Sequence, residues 1–97
     1  MSKTVSLVVL IEVKPGQAAD QITSFNKLAP LVRAEPGCLQ YDLKRVAGSD
    51  TRFVLLEEWA SQEELDVHRT VPHMVEAFAS YPAFRASPAT VLHVTDL

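Results

Sequence analysis

Two stretches of this chain, Thr4 to Val13 and Arg52 to Trp59, carry apolar side chains at odd and even positions alike. A strand turns successive side chains to opposite faces, so strands of this kind need cover on both sides. In the first, Leu7, Val9 and Ile11 alternate with Val8 and Leu10; in the second, Phe53 and Leu55 alternate with Val54 and Leu56. β-Branching favours strand over a short buried helix for the first stretch. The chain has 97 residues, which fits a single domain over 1–97, since a domain takes about 100–200. A chain this short buries only about two-thirds of its unfolded surface, so its own core is thin.

Between and after these strands the pattern changes. Lys14-Pro15-Gly16 stops the first strand, and Ile22, Phe25, Ala29 and Val32 then fall on one helical stripe. Pro30 lies inside that stripe and is expected to kink the helix or shorten its last turn. Glu35-Pro36-Gly37-Cys38 reads as a tight turn. From Leu39 to Val46 the chain alternates, with Leu39, Tyr41 and Leu43 on one face, as in a half-buried edge strand. Ala47 to Asp50 is a hairpin loop. Ser61 and Glu64 form a capping box that starts a helix reaching about Arg69. Pro72 breaks it, a second short helix reaches about Ser80, and Ala89 to Thr95 is the last strand. Strand, helix, strand, strand, broken helix, strand is the split βαβ, ferredoxin-like α+β plan: a four-stranded antiparallel sheet with helices on one face. The other face needs cover too, and a second copy of the chain, making a homodimer, is the simplest candidate.

Composition narrows the function. The net charge is −3 and no basic run exceeds Lys44-Arg45, which argues against nucleic acid as a partner. The apolar stretch from Val5 ends at Glu12, well short of the ~20 residues that span a bilayer. Cys38 is the only cysteine; no internal disulfide can form, and with no secretory leader in view a reducing, cytoplasmic setting is expected. His68, His73 and His93 lack the spacing of a metal motif, and no phosphate-binding glycine loop or serine-hydrolase elbow is present.

The densest cluster of chemically useful side chains runs from Phe53 to His73. Glu57 and Trp59 share a strand face with Phe53 and Leu55. His68 lies three residues after Leu65, on the same helical side, and is aimed at the sheet if Leu65 packs there. Spacing alone leaves Trp59 as a core anchor or a ligand contact, Glu57 as a solvated strand end or an ion-pair partner, and His68 as a structural or a working histidine. His73 is a surface or site residue, Tyr41 packs with its hydroxyl available, and His93 reads as structural.

The ordered set Lys14-Pro-Gly16, Glu35-Pro-Gly-Cys-Leu-Gln-Tyr41, Phe53…Glu57-x-Trp59, Leu65-x-x-His68 and Pro72-His73 resembles the antibiotic biosynthesis monooxygenase (ABM) family, which includes small quinol monooxygenases. The match runs from about residue 5 to 95. The resemblance implies a dimeric α+β barrel and oxidation of a small aromatic quinol or phenol by O₂ without metal, flavin or haem. It further implies His68 as the base, Glu57 orienting it or holding its proton, and Trp59 and Phe53 stacking on a planar substrate. His73 and Tyr41 would bond the substrate's oxygens. Haem-degrading relatives place an asparagine on the first strand, whereas the only asparagine here is Asn26, on the first helix. Relatives that isomerise a phosphosugar need cations at the pocket, for which Arg52 and Arg69 are available. A dimer that binds an apolar metabolite without turnover is the non-enzymatic alternative.

Overall fold

The computed structural model describes residues 3–97. Its elements are β1 (Val5–Glu12), α1 (Ala18–Arg33), β2 (Cys38–Arg45), β3 (Arg52–Trp59), α2 (Gln62–His68), α3 (Pro72–Ser80) and β4 (Thr90–Val94), with a single 3₁₀ turn at Tyr81–Ala83. The strands form one sheet in the order β2-β3-β1-β4, and every pairing is antiparallel. This is the ferredoxin-like α+β fold, with the two doubly apolar strands at its centre.

Leu7, Val9 and Ile11 of β1, Val13 just after it, and Phe53, Leu55, Glu57 and Trp59 of β3 turn inward and are buried. They meet Leu28, Ala29 and Val32 of α1, Leu65 of α2 and Met74 of α3 in one core. α1 runs through Pro30 to Arg33 rather than stopping early. Burial of Ala29 and Val32 on either side of the proline outweighs the hydrogen bond it cannot make. Ile22 and Phe25 pack only partly into the core, while Gln21, on the same helix, is buried.

The capping serine behaves as expected: Ser61 Oγ accepts from the Glu64 backbone N–H at 3.2 Å, and α2 starts at Gln62. Leu39 does not join Tyr41 and Leu43. A register shift between Cys38 and Gln40 pushes it out, and it is 54% exposed. A bulge adds a residue to one strand and flips the alternation that a plain ladder would give.

Candidate functional site

The site is built where α2 and the start of α3 cross the end of β3 and the turn before β2. α2 delivers Leu65 and His68 to the sheet, both buried. The Glu35-Pro36-Gly37-Cys38 turn delivers Glu35 to the same place. Pro36 and Gly37 occupy its centre, Gly37 takes φ +82°, and Cys38 N–H donates to Glu35 O at 3.3 Å. That is the conformation glycine permits and other residues resist.

Glu35 is the hub. Its carboxylate accepts from His68 Nδ1 at 3.0 Å and from His73 Nε2 at 2.7 Å. An imidazole that donates through Nδ1 keeps Nε2 as its acceptor when neutral. His68 Nε2 faces Glu57 Oε1 at 3.9 Å. The same Glu57 oxygen accepts from Trp59 Nε1 at 3.0 Å. The Trp59 ring lies 4.5 Å from the His68 ring and that of Tyr41 6.1 Å away, edge-on. Burial pushes the Glu57 carboxyl above the ordinary carboxylate range, against the opposing pull of the Trp59 hydrogen bond and His68. Burial also pushes the Tyr41 phenol up, so it stays protonated and able to donate.

A cavity of about 650 Å³ opens between sheet and helices over this cluster. Leu7, Val9, Leu55, Leu65, Met74 and Phe78 make its apolar wall; Tyr41, Glu57 and His68 reach it from one side, and Arg85 also lines it.

Of the residues singled out from the sequence, the fold thus brings His68, Glu57 and Tyr41 to the cavity. Trp59 and Phe53 do not line it. Trp59 is wholly buried behind His68 and Glu57, and Phe53 lies under the core, with the Arg45 guanidinium 5.2 Å from its ring. Both are therefore supports rather than stacking surfaces, because bulky rings at inward strand positions fill the layer beneath the helices. His73 points at Glu35, not into the cavity. Glu35 itself, and not Glu57, makes the bond that orients His68. In the sequence Glu35 reads only as the start of a turn; its place in the same short segment as Tyr41 is the one signal of a further role. His93 faces the same side as Glu57 and sits level with it, both being registered with Leu7. A position remote in sequence is thus two strands away, about 10 Å.

A four-stranded antiparallel sheet in the order β2-β3-β1-β4 with helices on one face defines the class of small ferredoxin-like α+β domains. Within it, residues 4–80 match the family model for antibiotic biosynthesis monooxygenase, and the chain belongs to that family. No curated protein sequence matches it. Among solved structures it is similar to PA3566 from Pseudomonas aeruginosa, at 27% identity and TM-score 0.91 over 100% of this chain and 97% of that one. Rv0793 from Mycobacterium tuberculosis is 26% identical, with TM-score 0.89 over 98% of this chain and 96% of that one. A Caulobacter crescentus protein provisionally named an antibiotic biosynthesis monooxygenase is 27% identical, with TM-score 0.91 over 99% of this chain and 92% of that one.

Proposed function

We propose that this protein is a cofactor-independent monooxygenase that oxidises a small aromatic quinol or phenol with O₂ inside the cavity. The placement of His68 carries the reading: Nδ1 lies on the Glu35 carboxylate and the ring lines an apolar cavity, so the neutral ring that gives Nδ1–H to Glu35 leaves Nε2 as an acceptor there. Such a nitrogen is a general base for a substrate hydroxyl. The resulting oxyanion, in surroundings with little water, is electron-rich enough to reduce O₂. For a quinol the step balances without further reagents. One oxygen atom becomes a ring hydroxyl in place of C–H, the other leaves as water with the two phenolic hydrogens, and the quinol becomes the quinone. The substrate loses four electrons and O₂ gains four.

In this scheme Glu57, raised by burial, holds a proton beside Nε2 for the departing oxygen. Tyr41 donates to a substrate oxygen. Glu35 fixes the His68 tautomer, and His73, a quarter exposed, carries the proton on toward water. Trp59 keeps Glu57 in place and Phe53 supports the strand beneath. The protein would work as a homodimer in the cytoplasm, as one domain. Among the described residues no helix is long and apolar enough to cross a membrane.

The test is oxygen uptake with naphthoquinols and no added cofactor. His68→Ala should lose on the order of 10²-fold in rate, as for loss of a general base, with its circular dichroism unchanged. Wild-type uptake in a folded His68→Ala protein would sink the assignment.

A further inference from the structure

Arg85 stands apart from the other cations near the cavity. Arg69 has Asp66 at 3.7 Å, and Lys14 is exposed and donates to the Ala83 carbonyl at 3.4 Å. Arg85 is half-buried, and no carboxylate oxygen among the described residues lies within 4.0 Å of it. Its placement is nevertheless specific. Arg85 Nε donates to Gln21 Oε1 at 3.0 Å, and Gln21 is itself buried. The guanidinium carbon lies 3.5 Å from the centre of the Tyr81 ring. The backbone is tied down as well: Arg85 bridges to Val13, and Ala86 N–H donates to Glu12 O at 2.9 Å. A neutral amide and an aromatic face hold the fork in position, but neither cancels its charge. Burial accordingly pushes the Arg85 guanidinium below its ordinary range.

Location adds direction. Val13 lies six residues along the chain from Leu7, the residue registered with Glu57. At about 3.4 Å per residue that separates the two backbone positions by ~20 Å. The two residues are thus rooted near opposite ends of the sheet, and both side chains line the one cavity. A pre-placed, uncompensated guanidinium in an apolar cavity is costly unless a bound anion completes it, and its planar fork matches a carboxylate bidentately. A doubly charged phosphate would leave excess negative charge among apolar side chains.

We infer that Arg85, clamped by Gln21 and Tyr81, is the receptor for a carboxylate on the aromatic substrate, at the end opposite the hydroxyl that faces His68. The orientation rests on the function proposed above; the carboxylate site does not. The probe is 6-hydroxy-2-naphthoate, with hydroxyl and carboxylate at opposite ends of a planar bicycle, compared with its methyl ester. Binding is measured by calorimetry, apart from any turnover. Wild type should bind the acid at least tenfold more tightly than the ester. Arg85→Gln should erase that preference while leaving ester affinity within about twofold, and Arg85→Lys, which keeps the charge but not the fork, should retain part of it. Melting curves confirm that each variant is folded. Equal binding of acid and ester by wild type, or a preference that survives in Arg85→Gln, would overturn the inference. If no quinol supports oxygen uptake but the acid preference disappears in Arg85→Gln, the oxygenase reading fails and the carboxylate site stands.

Discussion

Removing the Glu35 carboxylate leaves two imidazoles without a partner at once. His73 is open enough to find water, but His68 is not. Glu35→Ala should therefore cost about 1–3 kcal/mol in denaturant unfolding, the penalty for a stranded buried donor. Because Glu35 acts through His68, kcat should fall about 10–100-fold with KM nearly unchanged. A large rise in KM instead would place Glu35 against the substrate. Glu57 gives a pH-dependent prediction. Burial raises its carboxyl, so the native state keeps that proton to higher pH than the unfolded chain does. Its contribution to stability is complete below the unfolded value, near 4.5, and is lost as pH rises through the raised native value. Glu57→Gln, neutral throughout, should gain in melting temperature relative to wild type between pH 5 and pH 8. A constant difference across that range would show that Glu57 does not hold its proton in the native state.

The turn from Glu35 to Cys38 is the element that assembles the cluster. Gly37 has φ +82° and its carbonyl accepts from Ala60 N–H at 2.8 Å, tying the turn to the end of β3. A β-carbon there would also collide with the Glu64 side chain. Gly37→Ala should destabilise the fold by more than the about 1–2 kcal/mol of a left-handed alanine, and it should depress His68-dependent activity by moving Glu35. Full stability in that variant would show that the turn can relax without penalty. The elements themselves were legible in the sequence, because each is specified locally: β3 by its apolar run, α2 by Ser61 and Glu64, α3 by Pro72. The inward aim of His68 followed from Leu65 three residues before it. What stayed hidden was long-range. Glu35 meets His73 across 38 residues and Arg85 meets Gln21 across 64, and no local period encodes such pairs. Leu39 departs from its expected face because a bulge leaves no signature in hydrophobic alternation.

At the scale of the whole molecule, the described chain is a slab measuring 44 × 33 × 19 Å, two layers thick. Its helices cover only one face of the sheet. Across the other run Val8, Leu10, Val54, Leu56, Leu92 and Val94, and Leu10, Leu92 and Val94 are 42–44% exposed. This is the apolar face that the doubly apolar strands led us to expect. A homodimer packed through it should bury more than about 2,000 Å² in total, the range of obligate pairs. Sedimentation at micromolar concentration should therefore give a dimer, and Leu10→Lys should yield monomer or aggregate. A wild-type monomer would refute this assembly.

Trp59 is the chain's single tryptophan. It is sealed from water, its ring lies tilted against that of His68, and it is bonded to Glu57. The protein therefore carries its own optical reporter. Its emission comes from one place, should be shifted to the blue by the dry surroundings, and should respond to whether the neighbouring imidazole is charged. Loading of the cavity and movement of its proton can be followed by light in the unlabelled molecule, without waiting for a product to appear.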